Sequence, residues 1–344
     1  MLPKLSIIVP CYNSAKYIEE TLSSIAAQNY PNLELIIMDG GSKDETPAIV
    51  EKFRPLVSTF ISEKDKGQAD AILKGFARAT GDYVGWCNAD DTYLPGALLA
   101  AGQALAENPA CDIVFGDKDY TDADNQFLFR AQAFTPSIPK LFPFPQIYSE
   151  AFLVRREILS EINLNPERHH LMDLDWFVRL FLAGKNFLKA ENFRATFRQH
   201  ADAKSSKQAA VCHRESFDIA LSTYSHPRLS PADKSHLIHS MRLMLHNFWG
   251  EENYPALREG LARAEKQVGK SIYTPKLTLQ LCLSYLGAPA IAAVKKFLRK
   301  AITFITYRRE RYLMTRLYSN PFEKLPILPL GGMPIAPTIG NHLI

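Results

Sequence analysis

The chain has 344 residues, of which 47% are hydrophobic and 22% charged. That excludes a disordered or low-complexity protein and gives one large domain, or two smaller ones, a full core. A net charge of +4 is too small to argue for nucleic acid as a partner. The charge is unevenly spread, because residues 295–316 alone hold eight Lys or Arg against one Glu, which leaves the rest of the chain slightly acidic.

The predicted elements alternate between two periods over the first 116 residues. Leu5–Val9 is a short continuous apolar run, as a buried parallel strand should be. A helix follows, with Ser14 as candidate cap and Ile18, Leu22 and Ile25 on one face. Leu33–Met38 is a second strand, and Thr46-Pro47 reads as the cap and first-turn proline of a helix running to Phe53. Val57–Ser62 gives a third strand. Residues 67–79 give a helix with Ile72, Phe76 and Ala79 on one face. Asp82–Cys87 gives a fourth strand, Pro95 opens another helix, and Asp112–Gly116 gives a fifth strand. This alternation predicts an α/β fold with a doubly wound, mostly parallel sheet.

The pattern then changes. Residues 117–150 carry polar turns and prolines and read as hairpin and loop. Ser149–Val154 reads as a strand, Asp173–Ala183 as a helix and Phe193–Arg198 as a last strand. From about Lys207 the chain reads as helical without a chemical motif. We therefore expect an α/β domain over 1–205 and a helical C-terminal region over 206–344. The five cysteines are scattered, with no CxxC pair, which argues against a disulfide framework or a zinc site and fits a reducing compartment. Met1–Lys4 leads straight into a strand and Pro10 interrupts the apolar run, so no signal peptide is expected.

Four polar clusters fall at the carboxyl ends of the predicted strands, where open α/β sheets bind ligands. They are Pro10-Cys11-Tyr12-Asn13, Asp39-Gly40-Gly41-Ser42, Glu63-Lys64-Asp65-Lys66-Gly67 and Asn88-Ala89-Asp90-Asp91. Each alone reads more simply as a turn or a helix-terminal charge. Four in register at one edge, three with carboxylates, argue for a cation and a phosphate-bearing ligand. Clustered carboxylates repel unless neutralised, and sulfur-free oxygen donors suit Mg²⁺ or Mn²⁺. Neither GxGxxG nor GxxxxGK[ST] occurs, which removes support for a dinucleotide fold or a P-loop.

At these residues the chain resembles a family 2 glycosyltransferase of GT-A fold. LSIIVPCYNSAKYIEETLSSIAAQ is similar to the family's opening strand, loop and helix, and MDGGSKDET to its second-strand motif. SEKDKGQADAI, GWCNADDTYLPGAL, AFLVRREIL, MDLDWFVRL and FRQHADAKSS are similar to later ones. The resemblance covers about residues 4–206. It implies inverting transfer of one sugar from a nucleotide-sugar donor, with UDP the family-weighted base, to a saccharide or lipid-linked saccharide acceptor in surface polysaccharide or glycolipid assembly. It also implies roles. Pro10, Tyr12 and Asn13 line the nucleotide pocket, Asp39 and Asp65 hold base and ribose, and Lys66 lies near the diphosphate. Asn88-Ala89-Asp90 occupies the family's DxD position, with Asp90 the carboxylate for Mn²⁺ or Mg²⁺ and His200 a further metal or phosphate contact. Asp173 falls where the family keeps its acceptor-activating base, with Asp175 as the alternative because Met172 replaces the usual acid before Asp173. Asn88 in place of the first Asp makes the metal site less negative. The absence of QxxRW favours single-sugar transfer over polymerisation.

Two rival functions share these features: a nucleotidyltransferase, which releases pyrophosphate, and a sugar-nucleotide-binding module without turnover. The basic segment 295–316 interleaves aromatic and aliphatic residues with its cations. The uncharged run Leu277–Val294 before it is interrupted by Gly287 and Pro289. We read 277–316 as a surface-lying anchor on an anionic membrane, and expect a cytoplasmic protein peripheral on the inner face.

Overall fold

The computed structural model describes residues 1–143, 145–201 and 209–285, together with Ile291 and Lys296. The expected domain boundary near 205 and the basic segment 295–316, Lys296 apart, lie outside the described residues.

The first third is built as strand and helix in turn: β1 (Leu5–Cys11), α1 (Ile18–Ala26), β2 (Leu33–Asp39), α2 (Thr46–Lys52), β3 (Val57–Ser62), α3 (Gln68–Phe76), β4 (Tyr83–Trp86) and α4 (Ala97–Glu107). Then come β5 (Ile113–Thr121), β6 (Phe127–Ala131), a short α5 (Ile138–Leu141), β7 (Phe152–Arg155), α6 (Met172–Leu182) and β8 (Phe187–Arg198). Among the described residues four α-helices follow: α7 (Ala209–Tyr224), α8 (Pro231–Gly250), α9 (Tyr254–Val268) and α10 (Pro275–Leu283). Among the described residues no helix is long and apolar enough to cross a membrane.

Strands β3, β2, β1 and β4 lie side by side and parallel. The sheet continues through β7, antiparallel to both β4 and β5. On β5, β7 and the hairpin partner β6 share one edge, and β8 runs parallel along the other. The result is the α/β, mostly parallel architecture expected from the sequence.

Because strand side chains alternate faces, the buried residues sort into two clusters. Ile7, Val9, Leu35 and Ile37 pack on one side with Ile18, Leu22, Leu98 and Ala101. Ile8, Ile36, Val84 and Phe115 pack on the other with Ile72 and Phe76. This second cluster continues through Trp176 and Phe177 of α6 into Phe217, Leu237, Met241, Phe248 and Leu257 of the C-terminal helices. One apolar core thus joins the sheet to the helical region.

Local differences from the sequence reading have local causes. Helix α1 starts at Ile18 without a side-chain cap. Ser14 is instead used in the loop, where its amide donates to the Thr46 hydroxyl at 2.7 Å. Helix α3 ends at Phe76, and α4 starts at Ala97 after a left-handed Gly96. Residues Ser149–Ala151 form a 3-10 turn before β7. Strand β5 runs on to Thr121 because β6 and β8 flank its outer half. Cys11, Cys87 and Cys111 are buried thiols, Cys212 is half-buried and Cys282 exposed, with no disulfide among the described residues.

Candidate active site

The four polar strand ends meet at the carboxyl edge of the parallel strands, where a chain of hydrogen bonds links them. The Asn13 amide donates to Ser42 Oγ at 2.8 Å, and Asn13 Oδ1 accepts from the Lys43 amide at 2.9 Å. Asn13 holds a positive φ of 48°, tolerable for Asn because its short amide bonds locally. Asp39 is buried and accepts from the Ser42 amide at 3.1 and 3.2 Å, from the Ser42 hydroxyl, and from Ser62 Oγ at 2.5 Å. These bonds fix the loop after β2 and tie it to the end of β3. Burial, with Asp39 beside it, pushes the Cys11 thiol well up, so it is an inert neighbour rather than a nucleophile.

Asp65 closes over this loop. Its Oδ1 accepts from the Gly67 amide at 2.8 Å, and a Cβ on Gly40 would lie 2.7 Å from its Oδ2. Only glycine at 40 therefore lets Asp65 sit so close. Gly67, with φ 109°, turns the chain from this loop into α3. Lys66 and Tyr12 are exposed at the same edge, whereas Pro10 is buried within β1 opposite Met38. Gln68 at the start of α3 donates to Asn88 Oδ1 at 2.6 Å, which carries the network to the loop after β4.

That loop is held by β8. Thr92–Leu94 and Arg194–Thr196 exchange backbone bonds of 2.7 and 3.1 Å, so the end of β8 arrives over Asp90 and Asp91. Arg198, 3% exposed, donates its Nε to the Asp90 carbonyl at 2.8 Å, its amide to Asp91 Oδ1 at 2.9 Å, and a guanidinium nitrogen to Glu20 at 2.6 Å. His200 Nε2 lies 3.1 Å from Asp90 Oδ2, with its ring 4.7 Å from that of Tyr17. Asp91 is buried, and burial with repulsion from Asp90 and Glu150 raises its carboxyl well above the usual range. Asp90 keeps 34% of its side chain exposed. An open carboxylate beside an imidazole fits one face of a Mn²⁺ or Mg²⁺ site completed by phosphate oxygens and water. Among the described residues no group of three His, Cys, Asp or Glu forms a closed metal cage.

The other wall is α6. Trp176 stacks on Trp86 at 5.9 Å and packs against Phe76 and Phe152 at 5.8 and 5.5 Å. Trp86 precedes Asn88 by two residues and Trp176 follows Asp173 by three, so this cluster fixes α6 against the loop after β4. Asp173, half-buried in the first turn of α6, has its carboxyl pushed up to about 6 by burial. The Leu174 amide opposes that, Glu150 adds to it and Lys118 opposes it. A carboxyl near 6 is ionised at neutral pH yet basic enough to take a proton. Asp175 is buried in a fork with Arg179, at 2.8 Å to Nε and 2.7 Å to a terminal nitrogen. Both contacts fall on Oδ2, while Oδ1 lies 3.9 Å from Arg168 Nε, so the carboxylate is engaged by two guanidinium groups.

Two residues beside Asp173 escaped the sequence reading. Lys118 is 8% and Glu150 5% exposed, and they lie 3.7 Å apart. The Lys118 ammonium also faces the rings of Tyr148, Phe197 and Tyr120 at 4.5, 4.5 and 4.8 Å. Burial alone would depress it, but Glu150, then Tyr120 and Asp173, hold it above its ordinary value. Glu150 acts on both Asp91 and Asp173, and so stands between the loop after β4 and the start of α6. The only signal in the sequence was a charge at an inward-facing parity of β5, and a Glu just ahead of the apolar β7.

The family model Glycosyl transferase family 2 matches residues 6–165. A PGL/p-HBAD biosynthesis glycosyltransferase of Mycobacterium bovis is 36% identical over 184 residues, 52% of this chain and 70% of that protein. A Rickettsia bellii glycosyltransferase is 34% identical over 130 residues, 37% of this chain. The match spans only 19% of that protein, and 30% of a Rickettsia typhi glycosyltransferase that is 36% identical over 96 residues. In fold, the chain is similar to residues 1–349 of S. aureus TarS crystallised with UDP-GlcNAc, with a TM-score of 0.60 at 18% identity, covering 82% of this chain and 87% of that one. The fold is that of the GT-A glycosyltransferases, and by its sequence the chain belongs to glycosyl transferase family 2.

Proposed function

We propose that this protein transfers one sugar, with inversion, from a nucleotide-sugar donor to an acceptor hydroxyl, with Asp173 as general base. The observation that carries this reading is the half-buried Asp173 carboxyl, raised to about 6 and fixed through Trp176 and Trp86 to the loop bearing Asp90. Asp175, committed to Arg179, is the weaker candidate. Asn13, Tyr12, Asp39 and Asp65, with Pro10 and Asn88 shaping the pocket, would receive the nucleotide, with Lys66 near the diphosphate. Asp90 and His200 would hold Mn²⁺ or Mg²⁺, which supplies charge stabilisation to the departing nucleoside diphosphate. Asp173 orients the acceptor hydroxyl and takes its proton as the oxygen attacks the anomeric carbon. UDP is the proposed nucleotide, in line with the ligand of the TarS structure. A lipid-linked acceptor is proposed on the cation content of residues 295–316.

Turnover of UDP- and GDP-sugars with Mn²⁺, with and without EDTA, tests the reading. Release of nucleoside diphosphate, abolished by EDTA, is the expected result. Pyrophosphate release from a nucleoside triphosphate, or binding without turnover, overturns it. Sedimentation with vesicles of varied anionic content tests the membrane surface: binding at low salt that is lost at high salt is expected. No binding to acidic vesicles at low salt removes that part of the proposal.

A further inference from the structure

Helix α6 carries Asp173 but has no side-chain cap of its own, since Leu171 occupies the N-cap position. Helix entries leave backbone amides without intrahelical partners, and burying them unsatisfied is costly. Here a residue from outside takes the N-cap amide and the two amides before it. The Glu215 carboxylate, on α7, accepts the amides of His169 at 2.9 Å, His170 at 3.0 Å and Leu171 at 2.7 Å. Glu215 is 7% exposed. Burial opposes its ionised form, but the three amides prevail and hold its carboxyl below the usual range. One buried anion thus fixes the three residues that lead into the base helix, two positions before Asp173. Glu215 lies beyond residues 6–165, which the family model matches.

We propose that Glu215 is a positioning residue for the transfer reaction: it holds the 169–171 turn so that the Asp173 carboxylate meets the acceptor hydroxyl. The inference rests on Asp173 being the base. It makes the helical region part of the catalytic apparatus. A carboxylate is suited to the task because one oxygen serves two amides and the other serves the third. An amide side chain keeps one acceptor and turns an NH₂ on the remaining donor.

The test uses the full chain and four variants: Glu215→Ala, Glu215→Gln, Asp173→Asn and the double variant Glu215→Ala/Asp173→Asn. Glu215→Ala should lower kcat by about 10²-fold, the usual cost of a misplaced reacting group, with the donor KM unchanged. Glu215→Gln should lie between it and wild type. In the Asp173→Asn background, Glu215→Ala should cost nothing further, because residues acting as a unit are not additive. The same fractional loss in both backgrounds, or a rise in donor KM with kcat intact, would make Glu215 a general structural residue and overturn the proposal. If Glu215→Ala does not fold, Glu215→Gln is compared across the same two backgrounds and decides by the same criteria. If Asp173→Asn alone keeps wild-type turnover, the base assignment fails on its own, visibly apart from the Glu215 result.

Discussion

The two sides of the candidate site, proposed here as a donor wall and an acceptor wall, are built differently. On the donor wall, residues 10–91, the polar groups lie at the ends of adjacent parallel strands and satisfy one another: Asn13 with Ser42, Asp39 with Ser42 and Ser62, Gln68 with Asn88. On the acceptor wall the charged groups come from distant parts of the chain: Lys118, Glu150 and Glu215 are buried and Asp173 is half-buried. The first wall is a by-product of strand order, since parallel strands deliver their ends to one edge. The second exists only after tertiary packing. Burial there, with Glu150 nearby, is what lifts Asp173 toward neutrality.

If the donor wall positions the sugar-diphosphate and the acceptor wall performs the proton transfer, their variants must fail in different ways. The largest effect is expected at Asp90. Asp90→Ala should remove detectable donor turnover while leaving the thermal midpoint near wild type, because the side chain is partly open and outside the core. Near wild-type activity in Mn²⁺ would displace the metal from this loop. Asp173→Asn should come next, with transfer down roughly 10²–10⁴-fold and donor affinity, by calorimetry, unchanged. Should Asp175→Asn behave so instead, the two exchange roles.

The pH dependence sharpens this. Asp173 must be ionised to act, so the rate should rise with pH and reach half its plateau at about 6. The folded carboxyl lies above its unfolded value of 3.8. Between the two the folded state binds more protons, so stability falls as pH rises through this window and stays lower above it. Asp173→Asn, neutral throughout, should therefore be more stable than wild type above about pH 6 and no more stable below about pH 4. A denaturant series at pH 4 and pH 8 measures both. An equal difference at the two pH values would show that the carboxyl is not desolvated.

A smaller change is expected from the ion pair behind the base. Lys118→Met leaves Glu150 buried without its counter-charge, at a cost of about 3–5 kcal/mol, and removes an attraction that lowers the Asp173 carboxyl. The acid limb of the rate profile should move to higher pH. Glu150→Gln should move it to lower pH, and the double variant should regain most of the lost stability. Limbs that stay fixed in both single variants would separate this pair from the base.

The donor wall was legible in the sequence because its signal is local. Continuous apolar runs mark the strands, and polar residues mark where each ends. Asp173 and His200 were legible only through resemblance, since a carboxylate in the first turn of a helix is ordinary by itself. Lys118, Glu150 and Glu215 were not legible. Their partners lie in other elements, such as Glu150 for Lys118 and His169–Leu171 for Glu215. No period in the chain reports that a charge is buried with a partner so far along it. Element ends were misjudged for a related reason: β5 extends to Thr121 because β8 pairs with it, and Ser14 serves the loop rather than the helix because Thr46 stands opposite.

The smallest effect is expected at Gly40, where the donor wall can be disturbed without touching a charge. A methyl group there would lie 2.7 Å from Asp65 Oδ2, too close for either to stay. The backbone at 40 does not need glycine for its own sake, since its φ lies outside the left-handed region. The strain therefore falls on the Asp65 side chain, which is flexible and half-buried and can swing away. Gly40→Ala should leave the fold and kcat intact and weaken donor binding roughly 3–10-fold, the worth of one hydrogen bond. Asp65→Asn should weaken it similarly, and the double variant should be no worse than Asp65→Asn, since both act through one carboxylate. Donor titration by calorimetry with Mn²⁺ reads this directly. Additive losses would mean that Gly40 serves the nucleotide by its own close approach, and that the loop after β2, rather than Asp65, forms the floor of the pocket.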